Sequence, residues 1–152
     1  MKKYCLVIIL QLFLFSMTGI AQSAVDEVSN AVRDYVDAFY YGDTTKIHRS
    51  ISPVVVKYGY YKPKDKTDYT GEPMSFQEMI NYASSVKKRG PNPKVDGYPK
   101  KIEVLDHQDQ TASAKLTAWW GTDYLLLAKS NNKWMITHVL WQSPPPALAS
   151  NK

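Results

Sequence analysis

The stretch Asp123-Tyr-Leu-Leu-Leu-Ala-Lys-Ser-Asn-Asn-Lys-Trp-Met-Ile-Thr-His-Val-Leu-Trp-Gln142 reads as a β-hairpin, and the rest of the chain is organised around it. Two apolar, β-prone runs flank Asn131-Asn132, and asparagine tolerates the positive φ that a two-residue hairpin turn demands. If Ser130 faces Lys133, counting outward pairs Leu127 with Ile136, Leu125 with His138 and Asp123 with Leu140. Strand alternation then puts all six on one face, together with Trp134 four residues before His138. A second two-residue turn at Gly121-Thr122 would add Trp120, Ala118 and Leu116 from the run Ala112 to Trp120 to that face. Ile102 to Asp106 supplies one more strand upstream.

The N-terminal half has a different period. Val25, Val28, Val32, Tyr35, Val36 and Phe39 recur at steps of three and four behind Ser23-Ala-Val-Asp26, which predicts an amphipathic helix ending near Tyr41. Gly42 stops it and Asp43 caps a short second helix running to about Ile51. After Ser52-Pro53, the run Val54-Val-Val-Lys-Tyr-Gly-Tyr-Tyr61 is β-branched and aromatic, a strand with Gly59 as its bulge. Pro63 to Pro73 reads as a polar loop. Ser75-Phe-Gln-Glu78 is a capping box that opens a third helix, stopped by Gly90-Pro91. Helices preceding an antiparallel meander predict an α+β domain with its sheet wrapped against three helices.

The chain has 152 residues, 44% hydrophobic and 22% charged, enough to build a core. Met1-Lys-Lys3 precedes an apolar run and the small-residue exit Thr18-Gly-Ile-Ala21, the pattern of a secretory signal peptide. The run is shorter than the ~20 residues of a spanning helix, so cleavage after Ala21 without a lasting membrane anchor is expected. The expected organisation is signal peptide 1–21, domain 22–143 and tail 144–152, with the protein exported to the periplasm or beyond. Removing the leader takes two lysines and lowers the net charge from +5 to +3. The remaining basic clusters flank Pro and Gly and read as solvated loops and helix ends, so no nucleic-acid partner is expected. Cys5, the single cysteine, lies in the leader. Disulfide, thiolate-zinc and cysteine-nucleophile chemistry are therefore excluded from the mature chain, and His48 and His107 form no metal-ligand spacing. No nucleotide-cofactor motif is present, and no cofactor or metal is expected.

Asp34-Tyr-Val-Asp37, Tyr41-Gly-Asp43, Ser52-Pro53, Ala112-Ser-Ala-Lys115, Asp123-Tyr-Leu125, Lys133-Trp-Met-Ile136 and Val139-Leu-Trp141, in this order, resemble the lumazine-binding family of the nuclear transport factor 2-like superfamily. The resemblance spans nearly all of residues 25 to 142. It implies a cone-shaped half-barrel in which a curved antiparallel sheet and three helices enclose a pocket. Relatives of that superfamily use the pocket to bind ligands, to run acid-base chemistry as ketosteroid isomerases and polyketide cyclases do, or use the fold to dimerise.

Six residues are the candidates for such a pocket: Tyr35, Phe39, Tyr58, Trp120, Asp123 and His138. The aromatic ones offer π-faces and hydroxyls to a small hydrophobic or planar ligand, although the same spacings equally suit a core. Asp123 and His138, diagonal neighbours in the hairpin count, would lie roughly 7–8 Å apart between Cα atoms. A carboxylate beside an imidazole in an apolar cavity can abstract a proton next to a carbonyl. The reading favours a binding module; an isomerase-like enzyme using Asp123 or His138 and a structural dimerisation module are its alternatives. Trp119, Tyr124, Met135 and Trp141 fall on the outer face, a patch that a second copy in a homodimer or the C-terminal tail would cover.

Overall fold

The computed structural model describes residues 24–64 and 66–145. The expected signal peptide and most of the expected tail lie outside the described residues. Helix α1 covers residues 24–41 and α2 Thr44–Ser50. Strands β1 (Ile51–Tyr61) and β2 (Thr70–Pro73) come next, followed by α3 (Phe76–Arg89) and a short 3-10 turn at Val95–Gly97. The chain closes with β3 (Lys101–His107), β4 (Thr111–Ala118), β5 (Gly121–Ser130) and β6 (Lys133–Gln142). The strands form one curved, unclosed six-stranded sheet in the order β2-β1-β6-β5-β4-β3. This is an α+β half-barrel with α1, α2 and α3 on its inner side.

The start signals act locally, as read. The Asp43 side chain accepts from Thr45 N at 3.0 Å. Ser75 and Glu78 exchange the two bonds of a capping box, Glu78 N to Ser75 Oγ at 3.3 Å and Ser75 N to Glu78 Oε2 at 2.7 Å. Asp34 and Asp37 on α1 receive Arg49 and Lys46 of α2, and Lys100 reaches Asp37 from before β3 at 2.9 Å. These acids therefore clamp the two helices and the start of the meander.

Two expectations about the sheet are corrected. It is mixed, because β1 runs parallel to β6 while every other neighbouring pair is antiparallel. The second concerns Gly59, which is not a bulge; the register of β1 on β6 shifts between Ile51 and Val56, around Pro53, which has no N–H for the ladder. Gly59 instead makes room: a Cβ there would fall 1.7 Å from Nε1 of Trp141 on the paired strand. The short strand β2, which pairs Tyr58 through Tyr61 with Pro73 back to Thr70, arises within the stretch expected to be loop.

The core sits between α1 and the inner sheet face. Val28, Val32, Tyr35, Val36 and Phe39 meet Leu116, Leu125, Leu127, Trp134, Ile136 and Val139 there. The alternation within β4 and β5 is regular: Ala112, Ala114, Leu116 and Ala118 are buried in the first, and Gly121, Asp123, Leu125 and Leu127 in the second.

Candidate functional site

The hairpin turn forms as expected, with Asn131 and Asn132 at φ 49° and 61° and Ser130 opposite Lys133. The register holds outward to Leu127 and Ile136. Then β6 gains one residue: Leu126 pairs with His138, leaving Thr137 as a bulge whose hydroxyl donates to Leu126 O at 3.1 Å. A one-residue insertion exchanges the faces of everything beyond it. Asp123 therefore faces Trp141 rather than Leu140. His138 turns to the outer face, exposed, with Nδ1 3.1 Å from Thr137 Oγ1. The expected Asp123–His138 pair does not form, since the two residues lie on opposite sides of the sheet.

The same bulge moves Trp141 from the outer face to the inner one. Tyr58 is likewise placed outside, because the alternation of β1 buries Lys57 and Gly59 and leaves Val56, Tyr58 and Tyr60 exposed. The β4–β5 turn is Trp119-Trp120, not Gly121-Thr122, since Ala118 pairs with Gly121. Helix α1 decides this position: Tyr40 Oη accepts from Trp119 N at 3.0 Å and donates to Pro99 O at 2.7 Å. Trp120 then sits edge-on against Tyr35, Phe39 and Tyr40, with ring centroids 6.5, 5.9 and 5.4 Å away. Leu116, Ala118 and Asp123 still share the inner face.

Tyr35, Phe39, Trp120 and Asp123 are thus brought together, and a residue the sequence reading did not single out joins them. Lys57, 8% exposed, donates from Nζ to Tyr35 Oη at 2.8 Å and lies 4.7 Å from the centre of the Phe39 ring. Its signal was available: an inward-facing lysine between Val55 and Gly59 in an otherwise apolar strand. The Asp123 carboxylate, fully buried, accepts from Trp120 Nε1 at 3.1 and 3.2 Å, and the Tyr35 phenol stands beside it. Burial pushes Asp123 up to about 6 against the pull of Lys57, Trp120 and Tyr35. Burial also raises the Tyr35 phenol well above its ordinary value, with Asp123 adding to it, and lowers the Lys57 ammonium, which Asp123 partly restores. The order through the core is Lys57, Tyr35, Asp123, Trp120.

The two ends of this row, Lys57 and Trp120, line a cavity of about 370 Å³, with Tyr35 and Asp123 behind them. Phe39, Lys57 and Trp120 meet Met74, Tyr82, Trp119 and Trp141 in its wall, with Glu72 and Glu78 also lining it. A second hollow of about 430 Å³ shares Phe39, Tyr82 and Trp119 with the first and extends to Arg89 and Tyr98. Among the described residues no cluster of side chains suited to a metal ion occurs.

The half-barrel has the fold of nuclear transport factor 2-like proteins. Three solved structures of nuclear transport factor 2-like proteins, each of unknown function, share the fold. The protein from Silicibacter pomeroyi DSS-3 is 13% identical and superposes with a TM-score of 0.63 over 82% of this chain and 98% of that one. Those from Shewanella baltica OS155 (19%, TM-score 0.59, 81% and 95%) and Methylobacillus flagellatus KT (16%, TM-score 0.55, 81% and 94%) are comparable. The profile of the family described as "Putative lumazine-binding" matches residues 23–142, and the chain belongs to that family. No functionally curated protein matches it.

Proposed function

We propose that this chain is an exported small-molecule-binding module whose aromatic cavity holds a small hydrophobic or planar ligand. The observation that carries the reading is the cavity of about 370 Å³ walled by Trp119, Trp120, Trp141, Phe39 and Tyr82. Its volume lies in the range of small-molecule sites, and its wall is predominantly aromatic with few polar groups, as such sites are. The family's description supports the same class of ligand, lumazine being a planar fused-ring heterocycle. With His138 on the far side of the sheet, an acid-base pair in the form drawn from the hairpin count is not available.

Native mass spectrometry of protein purified from its own host without denaturation tests the reading. The expected spectrum shows a chain that begins at Gln22 and carries a small adduct. Met74→Trp, which fills the cavity, should abolish the adduct while the fold survives. A wild-type chain that never carries an adduct would count against the binding function, and an intact Met1 against export.

A second reading, homodimerisation, is supported by the outer face. Val56, Tyr58, Tyr124, Leu126 and Leu140 are exposed at 58, 39, 53, 52 and 52%, and the strand registers make them neighbours. A contiguous apolar surface of this kind is normally covered. Sedimentation should show a dimer, and Leu140→Glu should return it to a monomer without lowering the melting temperature by more than a degree or two.

A further inference from the structure

Lys57 is the buried cation of the cavity wall, and among the described residues its bonding is incomplete. An ammonium has three N–H donors; Lys57 places one on Tyr35 Oη and, among the described residues, forms no ion pair. Burying a charge in an apolar site is unfavourable unless a partner compensates it. The compensating carboxylate, Asp123, is set back behind Tyr35 and pinned by Trp120 Nε1, so the cation and not the anion lines the cavity.

We infer that the cavity takes a planar aromatic acid, its ring system among Trp119, Trp120 and Trp141 and its carboxylate or enolate oxygen accepting from Lys57 Nζ. This rests on the binding reading above and adds the ligand's charge. A charge-assisted bond made away from water is among the stronger contacts a site can offer, and the indole faces supply the apolar part. Glu72 and Glu78 do not reverse the preference. Both are solvent-exposed, and Glu78 is engaged by Ser75 N and Oγ, each at 2.7 Å. Water and salt screen their repulsion far more than they screen the attraction of a buried cation.

The probes are 2-naphthoate and its neutral isostere 2-naphthamide, titrated at pH 7 against the tryptophan fluorescence of the full mature protein. Wild type should bind the naphthoate at least tenfold more tightly than the amide. Lys57→Met should erase that ratio by weakening the naphthoate far more than the amide, and Lys57→Arg should keep most of it. If Lys57→Met fails to fold, Lys57→Met combined with Asp123→Asn removes both buried charges together and is read in the same way. Equal affinities in wild type, or a preference that survives loss of Lys57, would overturn the inference and leave the binding function standing. Failure of both probes to bind wild type would overturn the two together.

Discussion

Trp134→Ala should lower the stability of the domain by about 3–5 kcal/mol, the usual cost of emptying a core site of its largest side chain. Trp134 is 3% exposed on the inner face of β6, within the same cluster as Val28, Val32 and Ile136. Lys129 covers it from the paired strand, its Nζ 5.6 Å from the ring centre. Among the described residues the buried indole N–H has no hydrogen-bond partner, so much of the loss comes from packing and not from a polar contact. Trp134→Phe gives the control: it removes that orphaned donor and keeps an aromatic ring, and should cost less than about 1.5 kcal/mol. Urea denaturation of both variants, with unchanged m-values, measures the pair. A loss below about 1 kcal/mol for the alanine variant would mean that Trp134 does not sit in the core.

Asp123→Ala should be comparably damaging, about 3–5 kcal/mol, for an electrostatic reason. The carboxylate is the counter-charge of Lys57 and the acceptor for Trp120 Nε1, and its loss leaves a buried ammonium and a buried N–H unsatisfied. Asp123→Asn keeps an oxygen for Trp120 and should cost less. The carboxyl also has a signature in pH. Its folded value of about 6 stands above the ordinary 3.8, so the folded state binds this proton more tightly than the unfolded chain. The stability it contributes is fully present below about pH 3.8 and is lost as pH rises to about 6, a swing of roughly 3 kcal/mol. Carboxylates held low by partners, Asp37 and Asp43 among them, act in the opposite direction. The difference between wild type and Asp123→Asn isolates the one group: wild type should gain on the variant as pH falls from 7 to 4. A difference that is flat across that range would mean that Asp123 is not a buried acid.

How far the site could be read depended on how local its causes were. Tyr35 and Phe39 follow from helical spacing alone, since one face of α1 has to be buried and both lie on it. Trp120 reaches the aromatic cluster through a turn other than the expected one. Gly121-Thr122 looks like a better turn than Trp119-Trp120, yet Tyr40 captures Trp119 N and four aromatic rings close around the tryptophan pair. Lys57 was passed over because a lysine in a strand ordinarily marks a solvated face. Its burial depends on a phenol from α1 and a carboxylate from β5, 22 and 66 residues away along the chain.

The amino-acid sequence by itself determined the elements whose signals are short-range. The Asp43 and Ser75 caps, the Asn131-Asn132 turn, the buried stripe of α1 and the alternation of β4 and β5 each involve residues a few positions apart. Their backbone preferences and hydrophobic periods agree with one another, and together they specify an α+β domain with its sheet against three helices; the half-barrel shape came from the family resemblance. The tertiary structure decided which way the second half of β6 faces. A single bulge at Thr137 costs little locally and has no strong sequence mark, because Thr-His-Val can continue a strand in either register. Packing selects it: beyond the bulge Val139 enters the core, Trp141 lies across the space left by Gly59 on the parallel strand β1, and His138 goes to water. That choice replaced an imagined Asp–His pair with a cavity of tryptophans around a buried lysine. It could be made only when strands more than seventy residues apart were brought side by side.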